Sequence, residues 1–132
     1  QLDLAKELDL PIILHCRMAH DDLLEILNSN LRGVIHCFTG TREEAKKYLD
    51  LGFYLGINGI MYKFDLKEVI EKAPLERILL ETDCPYLGKS KEERNEPIFV
   101  RQIAKEIARI KNIPFEQVVQ TTTQNAQNLF GI

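Results

Sequence analysis

The chain has 132 residues, 45% of them hydrophobic and 28% charged, which suits one domain with an ordinary apolar core. Lys and Arg number 17 against 20 Asp and Glu, a net charge of −3, which argues against a grip on nucleic acid by basic charge alone. There is no apolar run of about 18 residues to span a bilayer and no secretory pattern at the start.

The first residue, Gln1, already belongs to a helical pattern, so a preceding segment is expected. Gln1–Leu10 places Leu2, Leu4, Ala5 and Leu8 on one helical face. Pro11 ends that helix and opens a strand at Ile12–Cys16. Asp21–Asn28 reads as helix, with Leu23, Leu24 and Leu27 apolar. Gly33–Phe38 is the second strand. Thr41 begins the helix Arg42–Leu51, because Thr41-x-x-Glu44 has capping-box spacing, and Gly52 supplies its stop. Phe53–Ile57 is a third strand, Asp65–Lys72 a short helix and Ile78–Thr82 a fourth strand. Ile98–Ile110 and Phe115–Leu129 read as the closing helices.

Short apolar strands separated by helices predict an α/β fold with a parallel sheet and right-handed crossovers. An open doubly wound sheet and part of a (β/α)₈ barrel both fit. A whole barrel takes about 250 residues, so four strands in this length would be half of one. Residues 1–132 are expected to form one unit, with no linker or low-complexity tract.

In such folds the chemical groups gather where strands end at their carboxyl side. His15 closes the first strand, His36 lies near the end of the second, and Asp83 closes the fourth. His and Asp are common ligands of zinc, manganese and related ions. Taken singly, each has a structural alternative: a hydrogen-bonded strand-end His, or an Asp capping the next helix. Strand alternation puts Ile13 and Arg17 on the face of His15, Val34 and Phe38 on that of His36, and Leu79 and Glu81 on that of Asp83. It sends Cys16, Cys37 and Cys84 the other way, as small buried packing groups rather than ligands or nucleophiles. These widely spaced cysteines suit a reducing, cytoplasmic setting better than a disulfide framework. Arg17 is read either as a fork for phosphate or as a partner of Glu81. His20 is read as a surface or helix-start residue. The loop carrying Lys89, Lys91, Glu92, Glu93 and Arg94 is read as solvated. Gly56-x-x-Gly59 is too short for a dinucleotide fingerprint, and no Gly-x-Ser-x-Gly elbow is present.

The strings "LPIILHCRMAHDDLL", "GVIHCFTGTREEAKKYLDLGFYLGINGI", "RILLETDCPYL", "RNEP" and "TTTQNAQNLFGI" together resemble the TatD family of metal-dependent deoxyribonucleases over essentially the whole chain. The resemblance implies a TIM-barrel hydrolase that binds one or two divalent ions (Mg, Mn or Zn) and cleaves DNA phosphodiesters. It implies His15, His36 and Asp83 as metal ligands and places Arg17, Arg94, Asn95 and Glu96 in family motifs. In the mechanism expected of the complete enzyme, Asp83 would also act as general base, with Glu81 orienting Arg17 or a ligand His. The family's His-x-His strand and its metal-bridging Glu are not in this sequence, so the chain corresponds to strands five to eight. Residues 1–132 alone are therefore expected to show negligible nuclease activity. Two other readings stand beside this one: a related metal hydrolase acting on an ester, lactone or amide, and an inactive half-barrel.

Overall fold

The computed structural model describes residues 1–88 and 94–132. The reading of Lys89, Lys91, Glu92 and Glu93 as a solvated loop lies outside the described residues. In chain order the elements are α1 (Leu2–Glu7), β1 (Ile12–His15), α2 (His20–Ile26), β2 (Gly33–His36), α3 (Arg42–Asp50), β3 (Tyr54–Ile57), α4 (Lys67–Lys72), β4 (Ile78–Leu80), α5 (Val100–Lys111) and α6 (Phe115–Phe130). Three 3₁₀ turns, at Gly59–Tyr62, Leu75–Arg77 and Pro97–Phe99, are additional to the predicted elements.

The four strands form one parallel sheet in the order β1-β2-β3-β4, each strand beside its sequence neighbour. That order separates the two predicted architectures. A doubly wound sheet reverses direction at a switch point, whereas a barrel adds strands around one direction. The sheet is therefore a section of a (β/α)₈ barrel wall. Register sets its layers: His15 pairs with His36, Ile35 with Leu55, and Gly56 with Leu79. His36 thus stands level with His15 on one side and with Gly56 on the other.

One side of the sheet carries the helices and the main core. Ile35, Leu55, Ile57 and Ile78 are fully buried there against Tyr48 of α3, Ile70 of α4 and Ile107 of α5. Strand β-branching favours the pleat, and burying each such side chain contributes about 1.5–3 kcal/mol. The opposite face carries Val34, Tyr54 and Leu79, closed at the amino end of the strands by Leu129 from α6. On this face Ile13 of β1 is 61% exposed. The α3 start is set as its sequence reads: Thr41 Oγ1 accepts the Glu44 amide at 3.2 Å and the Glu44 carboxylate accepts the Thr41 amide at 2.6 Å. Gly52 sits at φ +89 just past the end of α3, a left-handed position that glycine takes without strain.

The strands stop earlier than the apolar pattern suggests, and this corrects the reading of the cysteines. β2 ends at His36 and the next residue, Cys37, has φ +50; β4 ends at Leu80, and Asp83 has φ +58. Left-handed backbone breaks the two-residue alternation on which the outward placement depended. Cys16 is buried as expected, but Cys37 is half-buried and Cys84 is exposed. His20 does begin a helix, yet it is buried rather than on the surface.

Candidate metal centre

The carboxyl ends of β1, β2 and β4 bring the site together. His36 is held by Glu81, whose Oε2 lies 2.9 Å from His36 Nδ1. The same oxygen accepts the Cys37 backbone amide at 3.0 Å. A carboxylate has only acceptors, so this contact puts the imidazole proton on Nδ1 and leaves Nε2 as the nitrogen with a lone pair to offer. Nε2 faces Asp83, with Oδ1 3.6 Å away. His15 lies beside them, its ring centroid 5.9 Å from that of His36.

Glyless packing would forbid this arrangement. A Cβ on Gly56 would lie 2.2 Å from Glu81 Oε1 and 2.5 Å from Glu81 Cδ. The glycine on β3 therefore makes the slot in which the Glu81 carboxylate reaches His36. Burial is the largest influence on Glu81 and pushes its carboxyl above the ordinary range, against the opposing pull of the Cys37 amide and His36. Burial likewise pushes the Cys37 thiol up, with Asp83 and Glu81 adding to it and the hydrogen bond to Asn58 opposing it.

The loop that carries Asp83 is tied down by Asn95. Its Nδ2 donates to the carbonyls of Thr82 and, at 2.6 Å, Tyr86. Asn95 is buried and reaches Asp83 through this loop. Arg94 is exposed and faces a separate depression with Cys84 and Glu96. Arg17 is exposed and lines a cavity with His15 and Asp83. The pairing of Arg17 with Glu81 does not form, because Glu81 is engaged by His36 and the Cys37 amide.

His36 and Asp83 fit a divalent ion in kind and in spacing, with His15 beside them. Two ligands about 2.1 Å from one tetrahedral ion stand about 3.4 Å apart, close to the His36–Asp83 separation. Two imidazoles and a carboxylate are the chemistry of zinc and its neighbours. Among the described residues, no group of three or more His, Cys, Asp and Glu stands in full ligating geometry. The structure thus brings His36 and Asp83 together, orients His36 through Glu81, and leaves His15 adjacent.

Sequence reasoning missed one buried pair next to this site. His20 Nδ1 lies 3.0 Å from the Tyr48 hydroxyl, while its Nε2 has no hydrogen-bond partner among the described residues. Burial, reinforced by the neighbouring Cys16, keeps the Tyr48 hydroxyl protonated far above neutral pH. The spacing His20-to-Tyr48, 28 residues, carries no sequence signal, since it depends on α2 packing against α3.

A family model described as TatD related DNase matches residues 1–131. An uncharacterized metal-dependent hydrolase of Bacillus subtilis, YabD, is 41% identical over 100% of the chain and 55% of its own length. A 3'-5' ssDNA/RNA exonuclease TatD from a Rahnella strain is 40% identical over 100% of the chain and 56% of its own length. Among solved structures, the Escherichia coli TatD homologue YJJV superposes with a TM-score of 0.91 at 30% identity, covering 99% of this chain and 54% of that one. The chain spans about half the length of the curated relatives it matches.

Proposed function

The chain belongs to the TatD-related DNase family, and from that premise we propose that its protein is a metal-dependent hydrolase cleaving phosphodiester bonds in single-stranded nucleic acid. The observation that carries this reading is the His36–Asp83 pair, 3.6 Å apart, with Glu81 fixing the His36 tautomer behind it. A bound divalent ion supplies charge neutralisation at the phosphate and a water of lowered pKa.

The chain's own residues do the rest. His15 and His36 would hold the ion through ring nitrogens, and Asp83 would hold it through its carboxylate. Asp83 would also accept the proton of the attacking water, since it stands beside His36 and lines the open cavity. Its left-handed backbone, φ +58, swings that side chain off the strand axis toward His36. Glu81 fixes the His36 tautomer, so that Nε2 would face a bound ion, and it keeps the part-buried Cys37 amide paired. Arg17, projecting into the same cavity, is placed to fork onto phosphate oxygens. Arg94 lines the neighbouring depression and would meet more distant backbone phosphates.

The decisive experiment is Asp83→Asn in the complete protein, with single-stranded DNA and RNA oligonucleotides and a series of divalent ions. Loss of a positioned base costs about 100-fold or more in kcat. Wild-type turnover by the variant at saturating metal sinks the assignment.

A further inference from the structure

The cavity beside the ligands is larger and more apolar than a phosphate alone requires. It measures about 420 Å³ and includes His15, Asp83, Arg17, Met18, Glu44 and Phe64 in its lining. That volume falls in the range of small-ligand pockets, roughly 300–1,000 Å³. Two of its residues are exposed apolar side chains on loops at the carboxyl end of the sheet: Met18 is 95% exposed and Phe64 51%. Met18 also has φ +56, an uncommon backbone region for a long side chain.

The charge pattern narrows what enters. Arg17 in this lining is committed to the scissile phosphate, and the carboxylates of Glu44 and Asp83 oppose a further one. An uncharged, flat group with polar edges fits both the apolar surface and the acceptors. Glu44 spends one oxygen, Oε2, on the Thr41 amide, which leaves Oε1 to accept a ring amino or imino hydrogen.

We propose that this cavity is a nucleobase subsite in which the base flanking the scissile phosphate stacks on Phe64. The proposal rests on the phosphodiesterase reading and specifies what holds the strand beside the reacting bond. Stacking on an aromatic face is tolerant of sequence because every base has such a face.

The test compares wild type, Phe64→Ala and Phe64→Leu in the complete protein on two oligonucleotides. One carries ordinary bases at the cleaved end; the other is abasic on both sides of the scissile bond. Loss of one stacking contact raises KM about ten- to hundred-fold. The expected result is that rise for both variants on the ordinary strand, with kcat changed far less, and an equally high KM for wild type on the abasic strand. Leu keeps apolar bulk without the aromatic face, so it separates stacking from simple contact. An unchanged KM in Phe64→Ala, or normal handling of the abasic strand, overturns the proposal. If wild type cleaves neither strand with metal, the phosphodiesterase reading fails instead. The subsite is then decided by 2-aminopurine fluorescence in the same oligonucleotide without metal: quenching abolished by Phe64→Ala supports it, and no quenching by wild type overturns it.

Discussion

Gly56→Ala is the substitution on which the site geometry makes its strongest demand. The new methyl would sit 2.2 Å from Glu81 Oε1, well inside contact distance. The carboxylate is not free to swing aside, because its other oxygen holds both His36 Nδ1 and the Cys37 amide. If Glu81 leaves, two part-buried N–H groups lose their acceptor, at about 1–3 kcal/mol each. If instead β3 and β4 part, overpacking costs about 1–3 kcal/mol. The cheaper route, overpacking, still costs about 1–3 kcal/mol, which for a protein of this size lowers Tm by roughly 5–10 °C. The assay is urea unfolding of wild type, Gly56→Ala, Glu81→Ala and the double variant. Removing the Glu81 carboxylate opens the space, so Gly56→Ala should cost well under about 1 kcal/mol in that background, giving a coupling of about 1–2 kcal/mol. A cost below about 1 kcal/mol in the wild-type background, or the same cost in both, refutes the argument.

Glu81→Gln tests the sign of the buried charge. The folded state holds the Glu81 proton more tightly than the unfolded chain, so its contribution is fully present below the ordinary carboxylate range and lost as pH rises through the raised folded value. Relative to wild type, the metal-free Gln variant should therefore gain stability between about pH 4 and pH 7, and a flat or falling difference by urea unfolding contradicts the burial argument. Iodoacetamide labelling of the native protein at pH 8, read by peptide mass spectrometry, should modify exposed Cys84 first, Cys37 slowly and Cys16 least. The Cys37 rate should climb only above pH 9, because its thiol is held above its ordinary value of 9.0. Equal rates for Cys37 and Cys84 would contradict the placement.

The sequence by itself determined the alternation of short apolar strands and helices and the His15 and His36 positions at strand ends; Asp83 lies three residues beyond the end of β4. The alternation and the two histidine positions follow from local chemistry: apolar runs stop where polar residues begin, and Thr41 with Glu44 cap α3 within one turn. The strand order decided between wall of a barrel and doubly wound sheet, and no local pattern encodes which strand lies beside which. Tertiary structure also decided the partner of Glu81. Its choice of His36 over Arg17 depends on register across β2, β3 and β4, and on the missing side chain of Gly56 between them. Alternation placed Cys37 and Cys84 wrongly because it holds only while the backbone stays extended, and the left-handed residues at Cys37 and Asp83 end it. Those same turns aim the site, so the residues hardest to place from sequence are the ones that the fold bends out of regular structure to use.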